Sequence, residues 1–595
     1  MRFADGLAVG LKDLGVDTVF SVTGGGAMHL NDAFGRLPEL RKVYCHNEQA
    51  CAIAADSYAR IKNKPAAVVV TTGPGGINAL NGVFGAYVDS LPMLIISGQI
   101  KNETLKTNYS IPFRQLGDQE VDILAMAADI TKARIQASLE ADPISLVRDA
   151  YEMSVMARPG PVWIDVPIDV QGGLLEEKTR KRIHQFKFSP NNLFVAGNES
   201  VISCPERSSN LVLDRLFSAT KPAILVGTGL RISEQIKNFC SFIEQTNIPV
   251  LTGWNAHDTI PDIHKNYVGR PGSIGNRIGN ECLQGCDFLL VLGCRLNVRQ
   301  TSYNFADFAR NADVAMVDID AAELLKPTIN IKHKLNVLLQ DFVPQLLRQS
   351  YARAMNFSGL HREYIADLKA LKAKLDEKRR YRNSPEEKVN PYILAIKLTE
   401  QLEENSIIVC GDGTACVATF QVAEIKSQTR LFTNSGCASM GYDLPAAIGA
   451  AVAAPNRRLV CIAGDGSIMM NLQELQTIKT LGVPLQIFIL NNQGYHSIRQ
   501  TQQNFFADNI TGCGPDSGLE FPNFRLVAEA FGFQYSSINT NAQLQNGISD
   551  ALKSQLHICE VFIDLDQQFE PKVMSQKLED GTMKTGTLDN MWPYQ

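Results

Sequence analysis

No stretch of this 595-residue chain stays apolar long enough to span a bilayer. No charge of one sign dominates it either. The formal balance is −5, from 57 basic and 62 acidic residues, so nucleic acid and anionic membrane are poor partners. The 13 cysteines are odd in number and scattered, which excludes a disulfide scaffold. Cys282 and Cys286 stand four apart with no second pair, so zinc is not indicated, and reduced thiols are expected. The start of the chain lacks a charged leader with a long apolar core and opens instead in an amphipathic helix over residues 3–14. A cytosolic protein is expected. Histidine is sparse, at nine, with none in residues 71–78 or 101–120. What remains is a globular composition, 45% hydrophobic with 44 glycines, and a length for about three or four domains.

Three segments alternate short apolar strands with helices, the pattern of parallel α/β sheets. The first spans 1–173, with strands at 18–22, 66–71, 93–97 and 162–166. The second spans 190–345, with strands at 223–226, 249–252, 288–292 and 314–318. The third spans 388–562, with strands at 407–410, 459–463, 485–490 and 558–563. The expected fold is thus three Rossmann-like, doubly wound parallel sheets. The Lys-, Arg- and Glu-rich stretch 361–388 reads as a solvated helix and linker. The polar, turn-rich tail, 563–595, reads as a cover over the active site.

The most informative stretch is Gly464-Asp465-Gly466-Ser467, a helical run, a strand and Asn491-Asn492. Strand, helix and strand place Asp465 and Asn492 side by side at the carboxyl edge of one sheet, where open α/β folds bind ligands. Glycines let backbone amides approach a phosphate, and a helix N-terminus favours it. Asp465 and Asn492 are hard oxygen donors suited to Mg²⁺. A bare Gly-Asp-Gly turn is the bland alternative, but the spacing resembles the signature of thiamine diphosphate (ThDP) binding.

The resemblance extends along nearly the whole chain to the acetolactate synthase branch of ThDP-dependent 2-oxo acid enzymes. It rests on His46-Asn47-Glu48, Thr72-Gly73-Pro74-Gly75-Gly76, Asp89-Ser90-Leu91-Pro92, Arg158-Pro159-Gly160-Pro161 and Met440-Gly441-Tyr442-Asp443-Leu444-Pro445. It implies that the first segment binds the aminopyrimidine and the third the diphosphate, meeting across the interface of a homodimer or a dimer of dimers. Glu48 then matches the carboxyl that activates the pyrimidine, with burial expected to raise its pKa. Met440 matches the wedge that bends the cofactor, and the Ala438 carbonyl the acceptor of its amino group. Gly25, Gly26, Thr72 and Gly75 fall on the pyrimidine side. Asp412, Gly413, Thr414, Gly464, Asp465, Gly466, Ser467, Asn492, Gly494 and Tyr495 fall on the diphosphate side, with Asp465, Asn492 and Gly494 as the Mg²⁺ ligands.

The middle segment carries Gly227, Gly229, Arg270, Gly272, Arg295 and Asp318, and with Lys132 these are similar to an FAD site in which flavin is largely structural. An empty, vestigial domain is the alternative. Decarboxylases that release aldehydes use histidines near the cofactor, and the histidine-free stretches favour carboligation instead. Gln119 and Lys132 match positions near substrate and flavin. Four positions depart from the family: Asp118 replaces a Phe, Cys416 a Trp, Ser497 a Met and Thr501 a Trp. Smaller or more polar walls should admit a larger, hydroxyl-bearing acceptor. The loop Thr23-Gly24-Gly25-Gly26-Ala27-Met28-His29 looks like that of relatives that add a two-carbon unit to nucleotide-linked keto-deoxysugars. Acetolactate synthesis proper, pyruvate oxidation through a redox flavin and a non-catalytic ThDP- or FAD-binding subunit are the alternatives.

Overall fold

The computed structural model describes residues 1–175, 201–353, 359–375, 381, 387–506 and 509–594. Runs such as Ala67–Val70, Phe288–Leu292 and Leu485–Asn491 are apolar on both faces, and nearly every residue in them is buried. That pattern requires helices on both sides and hence parallel sheets. The expected three α/β layers are present, as sheets of six, seven and six strands. The expected start of the middle segment, near 190, lies outside the described residues.

The first sheet runs Arg41–Tyr44, Thr18–Ser21, Ala67–Val70, Met93–Gln99, Pro161–Pro167, Ala133–Gln136. The third runs Arg430–Phe432, Ile407–Cys410, Leu459–Gly464, Leu485–Asn491, Leu556–Phe562, Gln534–Ile538. Numbered along the chain, both orders are 2-1-3-4-6-5, so in each the first and third strands flank the point where winding reverses. Ligand crevices open there. In the third sheet Cys410 pairs with Ile462, and Gly464 with Leu490. This register brings the loops after three strands to one edge. The middle sheet reverses between Pro222–Val226 and Phe288–Leu292, and the loops after these strands hold Gly227, Gly229, Gly293 and Arg295.

The helix Glu48–Lys62, capped by Asn47 accepting from the Gln49 amide, joins the first and third layers. Ser57 Oγ donates to the Ala446 carbonyl at 2.6 Å, and the Tyr442 hydroxyl to Asp56 at 2.8 Å. The backbones approach so closely that a Cβ at Gly449 would lie 2.0 Å from the Ala54 carbonyl oxygen. Gly449→Ala must therefore separate two buried helices. A loss of about 1–3 kcal/mol in chemical denaturation is expected, and an unchanged midpoint would show that the helices are free to part.

The charged stretch holds the expected, mostly solvated helix, with a narrow apolar face. Its helix Arg362–Lys374 buries Ile365 and Leu368, and Leu368 joins the middle-layer core; residues 376–380 and 382–386 lie outside the described residues. The tail departs from expectation. Its first residues touch the helix His496–Phe505, through Gln500 donating to the Gln567 carbonyl and Phe569 stacking on His496. The remainder is seated on the middle layer, with Leu588 buried in its core and Asp589 paired to Arg310. Apolar Val573 and Leu588 outweigh the polarity of their neighbours. No helix among the described residues is long and apolar enough to cross a membrane.

Candidate active site

At the edge of the third sheet, Gly464 leads into Asp465, which is 1% exposed. Asp465 accepts from the amides of Gly466 at 2.9 Å and Gly494 at 3.0 Å. Burial pushes its carboxyl up to about 7, partly opposed by these amides. With its amide oxygen turned inward, Asn492 Oδ1 lies 3.0 Å from Asp465 Oδ1 and 2.6 Å from the Gly494 carbonyl oxygen. Its Nδ2 then donates to Thr414 Oγ1 at 3.2 Å. Three facing acceptors with no proton among them repel one another unless a cation intervenes; the reversed amide would donate to both instead. A carboxylate, an amide and a carbonyl make an oxygen donor set that suits Mg²⁺. Among the described residues, no group of three His, Cys, Asp or Glu side chains forms a competing metal site.

Around this cage the backbone is shaped for close approach. Gly413 has φ +89° and leads into the helix Thr414–Val422. At Gly464 an added Cβ would meet nothing within 4 Å, while at Gly466 it would strike the Tyr495 ring at 2.4 Å. Open backbone beside a helix N-terminus and a cation cage fits a diphosphate. Ser467 Oγ donates to Asp443 at 2.6 Å and accepts from the Gly441 amide at 3.0 Å, tying the Met440 loop to the Asp465 loop. Met440 remains 37% exposed. Ala438 has φ +54°, a left-handed conformation that non-glycine residues adopt mainly where surrounding structure enforces it.

On the first sheet, Gly25, Gly26 and Thr72 meet at the equivalent reversal point. Gly26 donates to Thr71 Oγ1 at 3.1 Å, and its Cβ would lie 2.0 Å from Thr72 Oγ1. That Thr72 hydroxyl is buried without a partner, as a group awaiting a ligand atom would be. Glu48 is 8% exposed and accepts from Asn78 Nδ2 at 3.0 Å. A Cβ on Gly75 would lie 3.4 Å from Glu48 Oε1. Gln119, at φ +61°, is exposed on the loop beyond, as is Asp118. Among the described residues no hydrogen bond or ion pair joins Glu48 to the Asp465 cage.

Between the first and middle layers lies a cleft of about 830 Å³ lined by Lys132, Arg158 and Arg295. It adjoins a pocket bordered by Gly229, Arg295 and Asp318, and Gly227 borders the next. Burial lowers Lys132 to about 8 and raises Asp318 to about 6. Two expected residues stand apart. Arg270 is 2% exposed and spends its donors on Tyr267, Asp262 and the carbonyls of Phe420 and Ala423, bracing the middle layer against the third. Gly272 is held by Asn280, with the Arg299 carbonyl filling its Cβ space. A Gly-Arg-Pro-Gly string reads the same whether it contacts a ligand or a neighbouring layer.

The acceptor positions are partly gathered. Cys416 Sγ lies 3.7 Å from Asp412 Oδ1 and 3.3 Å from the Gly413 carbonyl, and a Cβ on Gly413 would be 3.8 Å from Ser497 Oγ. Thr501 donates one turn further on to the Ser497 carbonyl, from an exposed position. Cys416 is 1% exposed and packed in the core, so it borders no open space. Burial pushes its thiol up to about 12. Two residues were given no role of their own in the sequence reading. Arg499 donates to the carbonyls of Asn492, Gln493 and Cys513, clamping the loop that carries Asn492 and Gly494; Asp443 holds Ser467. An arginine a turn past Gly494 was the only signal for the first.

The chain matches three family models in order: the N-terminal TPP (thiamine pyrophosphate) binding domain of thiamine pyrophosphate enzymes over residues 1–126, their central domain over 210–342 and their C-terminal TPP binding domain over 411–561. Fold, cage and these matches define a thiamine diphosphate-dependent enzyme. Among similar proteins, acetolactate synthase 2, chloroplastic, of Brassica napus is 30% identical over 571 residues, 92% of this chain and 83% of that protein. The acetolactate synthase large subunit of Lactococcus lactis is 29% identical over 566 residues, 95% of this chain and 92% of that one. Isozyme 2 of Escherichia coli is 29% identical, covering 93% and 94%. The chain belongs to the acetolactate synthase-like branch of the thiamine pyrophosphate enzymes, and is a ThDP-dependent carboligase.

Proposed function

We propose that this enzyme decarboxylates pyruvate and joins the two-carbon unit to a bulky polar carbonyl acceptor, such as a nucleotide-linked keto-deoxysugar. Supporting the metal-dependent chemistry is one observation above all: the Asp465 carboxylate, the Asn492 side-chain amide and the Gly494 carbonyl converge within 2.6–3.0 Å at the edge of the third sheet. ThDP, when bound, supplies a nucleophilic carbon and an electron sink for decarboxylation. Asp465, Asn492 and the Gly494 carbonyl would hold Mg²⁺, and the amides around Gly413 and Gly466 the diphosphate. Thr72 would meet the aminopyrimidine, while Glu48 holds and returns a proton at its ring nitrogen. Lys132, Arg158 and Arg295 in the cleft and Asp318 in the adjoining pocket would hold FAD, and the cleft's volume is in the usual range for a small-molecule site.

Two subunits complete each site in this reading, as a homodimer or a dimer of dimers. In its support, the helix Pro74–Val88 that carries Asn78 leaves Ile77, Phe84 and Tyr87 between 38% and 41% exposed along one face, an apolar stripe suited to an isologous contact.

The acceptor reading rests on Asp118, Ser497 and Thr501, all with some exposure. A second reading, ligation to another small 2-oxo acid, is favoured by the burial of Cys416, which removes one position from the pocket argument. Mass spectrometry of products from labelled pyruvate offered keto sugars and 2-oxo acids together separates them; acetolactate alone would overturn the sugar reading. Ser497→Met restores bulk without invading the core, and should shift the product ratio toward small acceptors by about tenfold. An unchanged ratio would remove Ser497 from the acceptor wall. Cys416→Trp is the poorer test, because it overpacks a filled core.

A further inference from the structure

Residues 105–119 form a long exposed loop between the strand Met93–Gln99 and the short helix Ile123–Met126. Its apolar side chains are turned outward: Ile111 is 69% exposed, Leu116 53% and Tyr109 47%. Only Leu105 is buried. Apolar burial therefore does little to hold the loop, and such segments open readily. The loop ends in a buried carboxylate. Glu120, 7% exposed, accepts from the Lys106 amide at 2.5 Å through Oε1, and from the Leu116 and Gly117 amides at 2.8 and 3.1 Å through Oε2. One side chain thus gathers the start and the end of the loop. Burial alone would raise its pKa, but the three amides outweigh burial and hold Glu120 below the usual carboxylate range.

The consequence falls on the residue just before it. Gln119 takes φ +61°, and its carbonyl oxygen occupies the space a Cβ on Gly73 would need, at 2.2 Å. Gly73 opens the turn that places Gly75 against Glu48. We infer that Glu120 is a positioning residue that clasps the loop 105–119 and so presents Gln119 to the substrate; this rests on the proposed pyruvate chemistry and on Gln119 as a substrate contact.

Glu120→Gln keeps the shape but has one oxygen where three amides need two. Limited tryptic cleavage at Lys106 and Arg114 of the full-length protein should become about tenfold faster, the cost of losing a charge-assisted hydrogen bond. KM for pyruvate should rise about tenfold, with thiamine diphosphate retention and the melting temperature unchanged. Glu120→Asp, which keeps both oxygens, should recover part of both effects. Unchanged cleavage would overturn the clasp, and faster cleavage with an unchanged KM would overturn the positioning role. A wild-type enzyme that releases no CO₂ from pyruvate would sink the reaction and the positioning with it, while the cleavage rates still decide the clasp.

Discussion

Glu48→Gln should lower CO₂ release from pyruvate by about three orders of magnitude while leaving Mg²⁺ and thiamine diphosphate bound. Acid–base groups in contact with reacting atoms contribute ~10²–10⁴-fold, and Glu48 has the setting such a group needs. It is 8% exposed, sits at the start of a rigid helix and accepts a hydrogen bond from Asn78 at 3.0 Å. A glutamine fills the same space and still accepts from Asn78, so packing and cofactor contacts survive. It cannot hold and return a proton. Turnover measured beside calorimetric titration with thiamine diphosphate distinguishes the cases. Near-normal turnover would refute the proton role, and lost binding would move Glu48 from chemistry to structure.

Asp465→Ala should weaken Mg²⁺-dependent retention of thiamine diphosphate by at least about a hundredfold. The cage has one formal charge, that of Asp465, and its other donors are an amide and a carbonyl. Removing the charge leaves two neutral oxygens too few for a cation that keeps several waters. The alanine also strands the amides of Gly466 and Gly494, so the loop itself loosens. Asp465→Asn separates the two causes, since it retains an acceptor for those amides but not the charge. Both variants should lose Mg²⁺ dependence if charge governs. An Asn variant that copurifies with cofactor would transfer the role to loop geometry.

Much of this was legible in residue order because the relevant patterns are local. Val-rich runs buried on both faces can only be central parallel strands, and Gly-Asp-Gly at such a strand's end is a short-range geometry. The readings that went astray depended on what lies across from a residue. Arg270 looked like a ligand contact and instead braces two layers. Cys416 looked like an opened wall and is packed in the core. The tail buries apolar residues that its polar surroundings concealed.

The alternation of strands and helices and the three α/β layers follow from the chain read along its length, since periodicity and turn residues act within a few positions. Which groups meet around Asp465, which arginine is spent on bracing and how Glu120 closes its loop were decided only by folding. These contacts join residues distant in sequence, and their energies depend on burial and direction that no linear pattern encodes.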